Sequence, residues 1–109
     1  MKPATLSRRA DFRRAYGEGR HSRRNGVGVV VLDRGDTEVA RIGYAVKRSA
    51  GSSVARNRIK RRLRAAVGSV EVPAGYDIVV SGDAEAARLD FQVLVEKVGA
   101  AIVAAGAGR

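Results

Sequence analysis

Apolar residues follow two rhythms along this chain. Val27 to Leu32 is a continuous, largely β-branched run bounded by Gly26 and Asp33, which predicts a buried strand. Val39 to Val46 predicts a second strand, with Val39, Arg41, Gly43 and Ala45 on one face and Ala40, Ile42, Tyr44 and Val46 on the other. Asp33-Arg34-Gly35-Asp36 is a turn signal between them, so the two strands are expected to form a hairpin. Helical spacing appears three times. Arg8 to Tyr16 predicts a short helix, with Ser7 as its N-cap and Gly17 and Gly19 stopping it. In Val54 to Val67, the residues Ala55, Ile59, Leu63, Ala66 and Val67 share one arc of about 120°. A last helix starts at Asp90 as N-cap, with Phe91, Leu94, Val95, Val98, Ile102 and Ala105 as its apolar stripe. His21 to Asn25 reads as a basic loop, Ser49 to Ser53 as a loop ending in a Ser52 or Ser53 cap, and Tyr76 to Val80 as a third strand after a Pro73-Ala74-Gly75 turn. The fold class is α+β, a single domain over residues 1–109 in the order α-β-β-α-β-α.

Composition removes several chemistries. The chain has 109 residues, no Cys and one His, His21, so disulfides, thiol catalysis and Cys- or His-clustered metal sites are not expected. The first residues are basic without an apolar segment, and no apolar run approaches membrane-spanning length, so a cytoplasmic chain with no membrane partner is expected.

Charge then narrows the partner. The formal net charge is +10, and between Val39 and Val70 there are nine cations and no acid. On the helix from Val54, Asn57, Arg58, Lys60, Arg61, Arg62 and Arg64 occupy the arc left by the apolar face, with Arg56 at its edge. Without acids at i, i+4 the repulsion along that face is unrelieved, which points to an anionic partner. Guanidinium groups fork onto phosphate oxygens, and Lys47-Arg48 at the strand end extends the same basic surface. Phe12 and Tyr16, one turn apart with Arg13 between them, suit either a core contact or a stacking surface for single-stranded bases. On this chemistry alone, a duplex-DNA or ribosome-binding module fits as well as an RNA-processing subunit.

Ile42-Gly-Tyr-Ala-Val-Lys-Arg48, then Gly51, then Val54-Ala-Arg-Asn-Arg-Ile-Lys-Arg-Arg-Leu-Arg64 resembles the signature of the bacterial ribonuclease P protein subunit. The resemblance extends more weakly to Asp11-Phe12, Tyr16, Gly19 and the Tyr76 strand, about residues 6–100 in all. It implies an α/β sandwich with helices on one side of the sheet and a left-handed βαβ crossover. It also implies an RNA-binding subunit that assists removal of the 5′ leader of precursor tRNA. The catalytic RNA would cut with Mg²⁺ at its own active site, one protein serving each RNA, and the protein would hold no catalytic residue or metal. Arg56, Asn57, Arg58, Lys60, Arg61 and Arg64, with Lys47, Arg48 and Arg62 of the same basic surface, are then the expected RNA contacts. Phe12, Arg13 and Tyr16, with an exposed sheet face around Val27 and Val29, are the expected leader cleft.

Overall fold

A computed structural model describes residues 2–107. Five strands form one sheet: β1 (Ala4–Thr5), β2 (Arg20–Arg24), β3 (Val27–Asp33), β4 (Arg41–Val46) and β5 (Tyr76–Gly82), in the spatial order β1-β4-β5-β3-β2. Three helices accompany it: α1 (Arg9–Glu18), α2 (Ser53–Gly68) and α3 (Phe91–Ala104). Single turns of 3-10 helix sit at Arg48–Ala50 and Ala84–Ala87. Among the described residues, no helix is long and apolar enough to cross a membrane.

The expected hairpin is absent. β5 lies between β3 and β4, antiparallel to the first and parallel to the second, so β4–α2–β5 is a crossover unit. The reason is burial: from Tyr76 to Val80 every residue of β5 is buried, and only a central position hides both faces of a strand. The Asp33–Asp36 turn instead leads away from the β3 edge, and Arg34 and Gly75 backbone hydrogen bonds tie it to the entry of β5.

β2 corrects a second expectation. Arg20–Arg24 is not a loop but an antiparallel edge strand on β3, from Arg20 opposite Val31 to Arg24 opposite Val27. Its charged side chains suit an edge, where they discourage pairing with other chains.

The two faces of the sheet are packed differently. Val27, Val29 and Val31, Ile42, Ile78 and Val80 project toward α2 and α3, meeting Ile59, Leu63, Ala66, Leu94, Val98 and Ile102 in the main core. The opposite face carries Val30, Leu32, Val79 and Ala45, covered by Leu6 and by Phe12 and Ala15 of α1. Helices therefore lie on both sides, not one. α1 can approach because β4 presents Gly43 to it: a Cβ there would sit 2.8 Å from Phe12 Cε1. Helix ends follow the expected chemistry in two of three cases. Ser52 Oγ accepts from Ala55 N at 3.2 Å, and Asp90 accepts from Gln92 N at 2.9 Å. At α1 the cap position is Arg8, not Ser7, with no side-chain cap, and the helix runs through Gly17 before ending at Gly19.

Candidate nucleic-acid interface

Burying Ile59, Leu63, Ala66 and Val67 against the sheet aims the remaining α2 residues outward. Asn57, Arg58, Arg61 and Arg64 are exposed, and Arg56 and Lys60 are half-buried on the flank nearest β4. Lys47 and Arg48, where β4 runs into its 3-10 turn, are exposed beside them. Among the described residues, no α2 cation is in an ion pair; the ion pairs lie in α1, the sheet and its connecting turns instead. The charge of this face is thus left for an external anion.

Three cations make internal contacts. Arg56 Nη2 donates to Ser53 Oγ at 3.2 Å, bracing the first turn of its own helix. Arg64 places its guanidinium carbon 5.0 Å from the centroid of the Tyr44 ring. Arg62 Nη2 donates to the Leu89 carbonyl oxygen, and its Nε is buried without a hydrogen bond. Val46, Ser53, Arg56, Asn57 and Lys60 enclose a cavity of about 250 Å³ between the helix and β4.

A second concavity lies on the α1 side of the sheet. His21, Arg23, Gly28, Val30 and Ser81 line a hollow of about 190 Å³. Tyr16 stands at its side, 45% exposed, its ring centroid 6.4 Å from that of His21. His21 Nε2 donates to the Tyr16 carbonyl at 3.1 Å, and burial raises the pKa of the Tyr16 phenol. Phe12, one turn earlier, lies on Gly43 over β4.

A family model described as Ribonuclease P matches residues 1–106. The chain belongs to the ribonuclease P protein family. It is similar to the ribonuclease P protein component of Thermobifida fusca, 36% identical over 108 residues covering 89% of this chain and 72% of that one. The component of Symbiobacterium thermophilum is 39% identical over 101 residues, covering 90% and 88%. Among solved structures, the RNase P protein of Thermotoga maritima superposes with a TM-score of 0.72 at 30% identity, over 86% of this chain and 90% of that one. That of Staphylococcus aureus gives 0.80 at 24% identity over 99% and 100%, which speaks to the fold.

Within this ribonuclease P protein, the residues singled out from the sequence separate into three groups. Lys47, Arg48, Arg56, Asn57, Arg58, Lys60, Arg61 and Arg64 gather along α2 and the strand end that precedes it. Arg62 leaves that group, because its place on α2 turns it toward the segment before α3, where the Leu89 carbonyl accepts a hydrogen bond from its guanidinium. On the other side of the sheet, Phe12 is half-buried on α1, while Arg13 and Tyr16 are exposed. Val27 and Val29 do not form an exposed sheet face: they are 0% and 2% exposed and lie in the core with α2 and α3. Helices cover both faces of β3, so neither alternating set of its side chains is left exposed. Gly28, Val29 and Val30 of β3 all line the hollow, although Val29 belongs to the core on the α2 and α3 side. Sequence reasoning also missed His21, Arg23 and Ser81. Reading Arg20–Arg24 as a strand opposite Val27–Val31 would have found the first two.

Proposed function

We propose that this chain is the RNA-binding subunit of a ribonuclease P ribonucleoprotein, holding the catalytic RNA and precursor tRNA while the RNA removes the 5′ leader. The observation that carries this reading is the unpaired cationic face of α2 in a chain of this family. Guanidinium groups on a rigid helix fork onto phosphate oxygens, and each phosphate neutralised releases condensed counterions. Arg58 and Arg61, both exposed and without a side-chain hydrogen bond or ion pair among the described residues, take the role of phosphate contacts, with Asn57, Lys60, Lys47 and Arg48 flanking them. The hollow beside Tyr16, His21 and Arg23 receives the single-stranded leader, with the exposed Tyr16 ring beside it; aromatic rings beside cations are how proteins stack unpaired bases.

The protein acts by binding and charge screening. It lowers the repulsion between two polyanions and so favours the docked arrangement in which the RNA reacts. Mg²⁺ held by the RNA would supply the chemistry of an activated water and a stabilised leaving oxygen, and no residue of this chain is assigned to hold it. The chain's own groups are placed to bind and orient, and phosphodiester cleavage is assigned to the RNA.

The test is reconstitution with a bacterial ribonuclease P RNA at low Mg²⁺, following cleavage of leader-bearing precursor tRNA. The R58E/R61E double variant is expected to fold normally and to lose at least about tenfold in kcat/KM, as expected for lost charge-assisted contacts. Holoenzyme kinetics unchanged by that double variant would remove the helix face from the mechanism.

A further inference from the structure

A concavity larger than either hollow described so far lies elsewhere among the described residues. A groove of about 750 Å³ runs between β1, β4 and the C-terminal half of α2, within the size range of small-ligand sites. Its existence follows from the brevity of β1. That strand pairs only Ala4 with Arg41 and Thr5 with Ile42, after which Leu6 turns to the α1 side of the sheet. The edge of β4 beside Tyr44 is therefore left uncovered. Tyr44 pairs with Val80 and Ile42 with Ile78, so both project to the α2 face, where Val67 completes an apolar floor. Arg64 closes one side over the Tyr44 ring, Lys2 stands at the rim, and Glu71 is the one acid there.

We propose that this groove accepts one unpaired nucleotide of RNA, its base stacked on the Arg64–Tyr44 pair and its phosphate met by Lys2. The inference rests on reading α2 as an RNA-binding face, and it adds a specific seat to that face. Two observations favour RNA over an apolar peptide. First, a guanidinium placed over an aromatic ring offers the planar, cationic platform on which unpaired bases stack. Second, the groove continues the basic surface: Arg56, Lys60 and Arg64 follow one another at i, i+4 and i+8, so a strand lying along Arg56 and Lys60 arrives at Tyr44. Glu71 opposes an anion at one point only, and Lys2 and Arg64 outnumber it.

The nucleotide has two sources, the catalytic RNA or the precursor, and equilibrium binding in two arms separates them. One arm titrates protein onto ribonuclease P RNA alone; the other titrates precursor tRNA onto preformed holoenzyme. Tyr44→Leu keeps the apolar floor and removes the ring, Tyr44→Phe keeps both, and Arg64→Lys keeps the charge but not the plane. Tyr44→Leu and Arg64→Lys should each weaken binding roughly 5- to 100-fold in one arm, the loss of one stacked base, with Tyr44→Phe within about twofold of wild type. The arm that changes names the source. Wild-type affinity in both arms for either Tyr44→Leu or Arg64→Lys overturns the proposal, as does a self-association sensitive to Tyr44→Leu that leaves both arms unchanged. If R58E/R61E loses binding while Tyr44→Leu does not, the helix face stands and the seat alone is rejected.

Discussion

Asp77 is the one buried acid in the structure's described core, 1% exposed in the central strand. Arg41 grips it twice, at 2.8 and 2.6 Å, Arg34 once at 2.8 Å, and Arg41 reaches on to Asp11 of α1 at 3.4 Å. Burial works against the carboxylate, yet the hydrogen bonds from Arg41 and Arg34 together outweigh it and hold its pKa below the ordinary 3.8. A depressed acid contributes stability that is complete above its unfolded pKa and is lost as pH falls through the folded one. Unfolding titrations should therefore show stability constant near neutrality and falling below about pH 4, with Asp36, also lowered by its Arg34 hydrogen bond, contributing in the same direction. Asp77→Asn leaves two guanidiniums half-paired and should cost about 3–5 kcal/mol while flattening that acid limb. An unaltered acid limb in Asp77→Asn would show that other carboxylates carry it. Gly43 is the second decisive residue. Gly43→Ala puts a methyl into the Phe12 ring and should destabilise by about 1–3 kcal/mol, or displace α1 and with it Tyr16. Chemical denaturation measures the first outcome, and weaker binding of leader-bearing precursor over leaderless tRNA measures the second.

At the scale of elements, α2 shows how one helix divides its cations. Arg62 belongs to the architecture: it fastens the segment before α3, so Arg62→Ala should cost about 1 kcal/mol of stability and leave RNA affinity within twofold. Arg58 and Arg61 should behave oppositely, and a thermal melt beside a binding curve for each variant tells the two classes apart. The helices and the three apolar strands were legible in the sequence because their apolar spacing is strong and long. β2 was not, since an edge strand of Arg-His-Ser-Arg-Arg carries no apolar alternation and owes its structure to β3. The pairing of β3 was also hidden. A turn signal says that a chain bends, while the placement of β5 between β3 and β4 depends on which strand most needs two covered faces. With β5 on one edge and β2 on the other, and helices over both faces, β3 is buried on both sides. That double burial accounts for the misplacement of Val27 and Val29, whereas the amphipathic division of α2 follows from local periodicity.

For the whole molecule, the sheet separates two surfaces of different kind. On one side α2 carries cations with no internal acid partner; on the other, α1 and β2 frame a shallow hollow with Tyr16, His21 and Arg23. The ionic cluster around Asp77 joins α1 to the central strands on the α1 side of the sheet. A protein so arranged meets an extended polyanion along α2 and a single strand across the sheet. The most direct measurement is the salt dependence of affinity for leader-bearing precursor in the reconstituted holoenzyme, compared between wild type and R58A/R61A. Plotted as log affinity against log salt, the wild-type line should be steep, and the double variant should be shallower by about 1.4 to 2, two phosphate contacts fewer. Parallel lines, with the same slope for both proteins, would mean that the α2 cations do not hold phosphate and would contradict the account.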